Sequence, residues 1–311
     1  MNTFIPDIPN PIESSRVVGS DILNDDYRRQ AVPRGHREYV MGRSDLCELI
    51  QCPHRWVRGF EDDATKATEW GTLIDTILLQ SDQADKLMAV CPETYPDGKT
   101  GEAKPWTFAA NYCKDWKRAN EGKLIVKGDT SREAQVAVEI IRNNPAAGPM
   151  IANSAKQVMV AGTYIDRDTG ISVPLKGLID IVPNKDHPTF GKSLADLKTA
   201  ADASPKAWRR AITSRGYHAQ AALYLDLYTK ATGEDRCDFR HVVQENFAPY
   251  EVANYIVSQE FVSMGRELYT RALRLYCECL RDWNWPGYAT GGLVLDGWSV
   301  VEPEPWQVSA S

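Results

Sequence analysis

Two aspartates and a lysine stand inside two short apolar runs near the middle of the chain. The runs read VPLKGLIDIVP (173–183) and SLADLKT (193–199), and they carry Asp180, Asp196 and Lys198. Strand side chains alternate with period two, so Asp180 shares a face with Leu178 and Val182, and Asp196 shares one with Leu194 and Lys198. A charge in an apolar strand is costly unless something offsets it. Two carboxylates beside an ammonium could hold a hard divalent ion through oxygen and use it to activate water. The other reading is a structural ion pair. Acid-x-Lys triplets are common, and this chain has three more, at Asp97–Lys99, Glu102–Lys104 and Glu121–Lys123. The setting of Asp180 and Asp196 in β-prone runs that can pair favours the ion site slightly.

The segment between the runs, rich in Asn, Lys, Asp, His, Pro and Gly, has turn chemistry, so the acids are expected on a β-hairpin. Before it, Gln157–Ile165 alternates as a strand, and a turn at Asp166–Gly170 makes the start of a meander. Ser44–Ile50 has an N-cap and helical apolar spacing, and Pro53 opens a short helix through Trp56 and Phe60. Thr65–Gln80 is a stronger helix with an apolar face of Trp70, Leu73, Ile74, Ile77 and Leu78, and Asp75 lies within it. Residues 91–104 read as a polar loop, followed by helical patches at Trp106–Ala119 and at Ser131–Asn143, the latter stopped by Pro145. After the hairpin, Ser204-Pro205 opens a helix over Lys206–Thr213, and Gly216 breaks it. A second helix spans Tyr217–Thr232 and ends at Gly233. Strands at Phe239–Asn246 and Tyr250–Val257 and a long amphipathic helix from Gln259 to Trp283 complete the core. Residues 1–38 lack periodicity and read as a flexible arm, 39–285 as the folded domain, and 286–311 as a loosely packed tail.

On the helix from Tyr217, Gln220 and Tyr224 stand four apart with Tyr217 three before, near one stripe, while Ala219, Ala221 and Ala222 permit close packing on a sheet. By themselves they also fit two half-buried aromatics and a surface glutamine. Lys206, Arg209, Arg210 and Arg215 cluster just after the second acidic run. They matter because the chain of 311 residues carries 36 Lys and Arg against 42 Asp and Glu, a net charge of −6. That balance excludes a general nucleic-acid coat and leaves only a local basic surface for DNA. Neither a signal-like start nor an apolar stretch of about 18 residues is present, which indicates a cytoplasmic protein without a membrane span. Seven cysteines at irregular spacing read as reduced thiols.

Taken together, the order of elements resembles the PD-(D/E)xK nuclease superfamily, and within it the RecE-type exonucleases related to the RecB and AddB nuclease domains. The resemblance runs from Ser44 to Trp283. It rests on the S-D-L…C-P segment at 44–53, on Gly71-Thr72-Leu73-Ile74-Asp75, on Gly177-Leu178-Ile179-Asp180, on Ala195-Asp196-Leu197-Lys198-Thr199, and on Q-x-x-x-Y at Gln220 and Tyr224. It implies an α/β (α+β) fold with a central mixed sheet and flanking helices. It also implies Mg²⁺ or Mn²⁺ held by Asp180, Asp196 and the Leu197 carbonyl, Lys198 orienting or deprotonating the attacking water, and Gln220 and Tyr224 positioning the substrate strand. Relatives commonly carry His where this chain has Asp75; an acid can still bind a hard cation, which leaves metal choice and number open. Lys206, Arg209, Arg210, Arg215 and Tyr217 would contact DNA.

Some relatives carry an iron-sulfur cluster on one early and three late cysteines. Here Cys47 or Cys52 could serve early, but Cys277 and Cys279 are the only late ones and diverge on a helix, so no cluster is expected. The literal formula Pro96-Asp97…Glu102-Ala103-Lys104 lies in a Gly, Pro and Lys loop and is rejected as a decoy. The implied function is an exonuclease on double-stranded DNA ends, with 5′–3′ resection for phage or bacterial recombination. A single-strand annealing partner and a homo-oligomeric ring are further implications. The alternatives are a single-strand exonuclease or an endonuclease on the same fold, or a non-catalytic DNA-binding scaffold; retention of both acids and the lysine speaks against the last.

Overall fold

Alternating apolar residues from 154 to 183, folded back at Asp166–Gly170, form the long antiparallel pair at the middle of the sheet. The structure, a computed structural model, describes residues 8–59 and 65–288, the backbone of 294–295 and 298–299, and residue 301. In order, the elements are β1 (Ile12–Gly19), α1 (Asn24–Arg28), α2 (Arg43–Gln51), α3 (Pro53–Val57), α4 (Lys66–Leu79), α5 (Ala84–Leu87), β2 (Met88–Val90), β3 (Thr94–Pro96), β4 (Ala103–Pro105), α6 (Asn111–Ala119) and β5 (Leu124–Val126). There follow α7 (Gly128–Asn143), α8 (Ala147–Ala152), β6 (Ser154–Ile165), β7 (Ser172–Pro183), β8 (Ser193–Ala200), α9 (Pro205–Ser214), α10 (Tyr217–Thr232), β9 (Asp238–Glu245), β10 (Val252–Val257) and α11 (Gln259–Asp282).

Six strands make the central sheet in the order β1-β6-β7-β8-β9-β10. All neighbours are antiparallel except β8 and β9, whose parallel pairing requires the crossover that α9 and α10 supply. The mixed α/β architecture expected from the sequence is therefore present. One hydrophobic cluster joins β6 and β7 to α2, α10 and α11. A second joins α4, α7 and α8 to β8 and β9. From Tyr217 to Tyr228 every residue of α10 is buried, so it is an all-round buried helix rather than an amphipathic one. α11 approaches it closely enough that a Cβ on Gly265 would lie 2.0 Å from the His218 carbonyl oxygen.

The described part of residues 1–38 is not a flexible arm. β1 forms the sheet edge against β6, with Ser15 opposite Gly162 and Val17 opposite Val160. The chain after it is pinned too: the Asp21 and Ile22 amides donate to the Lys156 and Gln157 carbonyls, and the Gln80 side chain donates to the Ile22 carbonyl. Lys176, buried in β7, donates to the Tyr27 and Arg29 carbonyls. The nearest of these partners is 58 residues away, so local periodicity carries no sign of them. Residues 1–7 lie outside the described residues, as do Phe60 and most of the expected tail. The junction with the tail is anchored: the Trp285 ring, at the end of the expected domain, lies 5.7 Å from Trp56, and the carbonyl of Pro286, the first tail residue, accepts from the His54 amide.

Two more expectations change. The 91–104 loop contains the short hairpin of β3 and β4, and α6 begins at Asn111 rather than Trp106, because Pro105 closes β4 and a turn follows. The central hairpin forms, but β7 and β8 are paired only at Ile181 opposite Ala195 and diverge beyond it.

Candidate active site

The divergence of β7 from β8 leaves backbone amides without ladder partners, and an acid fills the gap. Asp180 Oδ2 accepts from the Leu197 amide at 3.0 Å, bridging the two strands through a side chain. On the other side of β7, Gln157 faces Asp180, in a left-handed conformation (φ 49°) that interrupts the ladder between Lys156–Ile181 and Val158–Ile179. Its Nε2 donates to Asp180 Oδ1 at 3.4 Å.

Asp196, 1% exposed, is held from both sides. Lys198, two residues along the same strand face, is ion-paired to Oδ2, and Gln220 Nε2 donates to Oδ1 at 2.8 Å. The Lys198 ammonium also lies 3.4 Å from the Leu197 carbonyl oxygen and 5.2 Å from the Tyr217 ring centroid. Tyr224, one turn beyond Gln220, packs under β7 so tightly that a Cβ on Gly177 would come within 2.9 Å of its ring. Asp75 reaches the same place from α4. The helix is seated by Gly71, where a Cβ would lie 3.0 Å from Thr199 Oγ1.

Burial raises the carboxyls of Asp75 and Asp180 above the usual carboxylate range; the Asp180 charge raises Asp75 further, and Lys198 pulls both back. The Lys198 ammonium is itself pushed down to about 8 by burial, with Arg43 adding to the effect and the two acids opposing it. Three carboxylates against the Lys198 ammonium and the Arg43 guanidinium still leave the recess short of positive charge. Among the described residues, the buried Gln157 and Gln220 side-chain oxygens there also have no hydrogen-bond partner. An all-oxygen donor set short of cation suits Mg²⁺ or Mn²⁺. Among the described residues no three acidic, His or Cys side chains already close around one point, because the Asp196 and Asp180 oxygens are taken up by Lys198, Gln220 and the Leu197 amide.

Asp75, Asp180, Asp196, Leu197, Lys198, Gln220 and Tyr224 are therefore brought together. Lys206, Arg209, Arg210 and Arg215 are exposed on and just after α9, which Trp208 and Ile212 anchor to the core. Tyr217 is instead buried beneath them, stacked 5.3 Å from Trp208 and carrying Lys198 on its ring. Sequence reading missed four neighbours: Gln157, Arg43, Tyr27 and His241. Tyr27 comes from the supposed arm and lies beside Tyr224; burial raises its hydroxyl well above the ordinary value. His241 lies beside Asp196 in the parallel register, and burial holds its imidazole down to about 3. The available signals were slight: Arg43 immediately precedes the S-D-L segment, and His241 is a polar residue in an apolar strand. The decoy is a surface ion pair of Asp97 with Lys104.

Comparison with known proteins bears on the family and the fold. The family described as a PDDEXK-like domain of unknown function matches residues 43–292. No curated protein matches. A crystal structure described as a "Putative exonuclease" from Eubacterium rectale is similar in fold, with a TM-score of 0.51 at 14% identity over 94% of this chain and 99% of that one.

Proposed function

The chain belongs to the PDDEXK-like domain family, whose match covers residues 43–292, and from that premise we propose that it is a metal-dependent exonuclease acting on double-stranded DNA ends. The observation that carries the proposal is the meeting of Asp180, Asp196 and Lys198 at one recess, with Gln220 bonded to Asp196. Asp75, Asp180, Asp196 and the Leu197 carbonyl would hold the ion. When bound, a hard divalent cation supplies Lewis acidity and a deprotonated water. Gln220 fixes the rotamer of Asp196, and the Leu197 amide fixes that of Asp180. Lys198, pulled down to about 8, can both give and accept a proton near neutral pH and stabilises charge building up on the phosphate. The Q-x-x-x-Y pair on α10 supports assignment to the RecE-type branch, and with it 5′–3′ resection in recombination. An annealing partner and a ring assembly follow from that branch alone; a monomer by light scattering under active conditions would rule out the ring.

The direct test is linear double-stranded DNA labelled separately at its 5′ and 3′ ends. Degradation is expected only with Mg²⁺ or Mn²⁺, EDTA should stop it, and the 5′ label should be released first as nucleotides. Rapid fragmentation of closed circular DNA would point to an endonuclease instead. For substrate contact, Arg209→Ala with Arg210→Ala is expected to weaken DNA binding and to lower the log–log salt slope by about 2, one per phosphate contact. An unchanged slope would remove this patch from the interface. Among the described residues no helix is long and apolar enough to cross a membrane.

A further inference from the structure

Arg43 opens α2 and leans toward the recess. Its guanidinium carbon lies 5.7 Å from the centroid of the Tyr217 ring, the ring that also carries the Lys198 ammonium at 5.2 Å. Two cations on one aromatic ring repel each other. The effect reaches their surroundings, for Arg43 helps hold down both the Lys198 ammonium and the His241 imidazole. A half-buried guanidinium in such a place normally has a carboxylate partner. Among the described residues Arg43 has no ion pair, and its contacts are the Arg215 carbonyl, which accepts from Nη1 at 3.2 Å, and the Cys47 thiol. Asp45, the nearest acid on its own helix, is engaged elsewhere. It accepts from the Gly42 amide at 2.9 Å, from the Tyr39 hydroxyl at 2.9 Å and from the Trp56 indole at 3.0 Å.

We infer that Arg43, laid on Tyr217 and oriented by the Arg215 carbonyl, is a phosphodiester-binding residue that takes a non-bridging oxygen of the DNA strand lying across the carboxylates and Lys198. The inference rests on the nuclease reading of this recess and names a substrate contact within it. An anion between Arg43 and Lys198 relieves the repulsion on the shared ring. Arginine suits the place better than lysine because its planar fork stacks on an aromatic face and still presents several N–H groups to a phosphate. Unlike the exposed arginines of α9, this one is held in place before substrate arrives, so little side-chain entropy is lost on binding.

The test is equilibrium binding of a linear duplex in EDTA, where nothing is cut, from 50 to 200 mM salt, on assay conditions chosen for the range over which counterion release is read. Arg43→Gln is expected to bind about tenfold more weakly than wild type, with a salt slope lower by about 1 and a melting temperature within about 2 °C. Arg43→Met, which keeps an aliphatic stem on Tyr217, gives the same readout should the glutamine variant fail to fold. Arg43→Lys should restore the slope but, lacking the fork, cleave several-fold more slowly than wild type when Mg²⁺ is added. Wild-type affinity and slope in the Gln or Met variant would reduce Arg43 to a tie between α2 and the Arg215 turn, and overturn the inference. Because binding is read without metal, a wild-type protein that binds DNA yet cuts none would sink the nuclease reading alone, with the slope comparison still deciding Arg43. A wild-type protein that does not bind DNA would overturn both.

Discussion

If the proposed site is right, Asp196→Ala should lose cleavage of linear duplex DNA by about a thousandfold or more while still binding it, because the substitution removes a proposed ion ligand and leaves Lys198 without its partner. Asp180→Ala should lose comparably. Lys198→Ala should cost about a hundredfold to a thousandfold, the size of effect seen when a single group that stabilises transition-state charge is removed. Asp196→Asn separates chemistry from fold. It preserves shape and an oxygen for the Gln220 amide, though not the acceptor for Lys198, so its melting temperature should fall less than that of Asp196→Ala while cleavage is still lost. Asp196→Ala instead leaves the Gln220 amide buried and unpaired, at about 1–3 kcal/mol. Asp97→Ala with Glu102→Ala is the internal control, since these residues lie in the exposed β3–β4 hairpin; it should cut like wild type. Full activity from Asp196→Ala would remove β7 and β8 as the seat of the chemistry.

The second large effect is on stability, and it acts on the helix that carries Gln220 and Tyr224. Asp226, 4% exposed on α10, accepts two hydrogen bonds from Arg266 of α11, each at 2.7 Å, and another from the buried Tyr269 hydroxyl. Arg266 continues to the Ile8 carbonyl at 3.1 Å, so one guanidinium joins α10, α11 and the start of the described chain. Asp226→Ala leaves a largely buried cation and a buried hydroxyl without their acceptor, at a cost of about 3–5 kcal/mol. For a chain of this size that corresponds to a melting temperature lower by roughly 6–15 °C. Replacing the pair together, as Asp226→Leu with Arg266→Met, should recover much of the loss because no charge remains buried. A melting temperature within about 2 °C of wild type for Asp226→Ala would show that the network contributes nothing net.

The sequence by itself determined most of the elements near the site. Period-two alternation marked β6, β7 and β8, and the Ser204-Pro205 start and the Gly216 and Gly233 stops bounded α9 and α10 to within a residue or so. It also marked Asp180, Asp196 and Lys198 as a set, since charges in apolar strands stand out against local periodicity. What it could not determine was set by contacts between distant residues. Nothing near Ile12–Gly19 shows that its partner is β6, because an edge strand needs only one apolar face and a ladder 146 residues away, as the Ser15 to Ala161 hydrogen bond illustrates. Nothing near Gln157 signals a left-handed residue opposite Asp180. Alternation suggested that the two acids meet across a paired hairpin, whereas divergence of the strands beyond Ile181 and Ala195 lets Asp180 reach the Leu197 amide. Tyr217 read as a surface contact because helical spacing gives the direction of a side chain but not what lies above it. Only the tertiary structure decided that α2 crosses there, setting Arg43 on the same ring as Lys198.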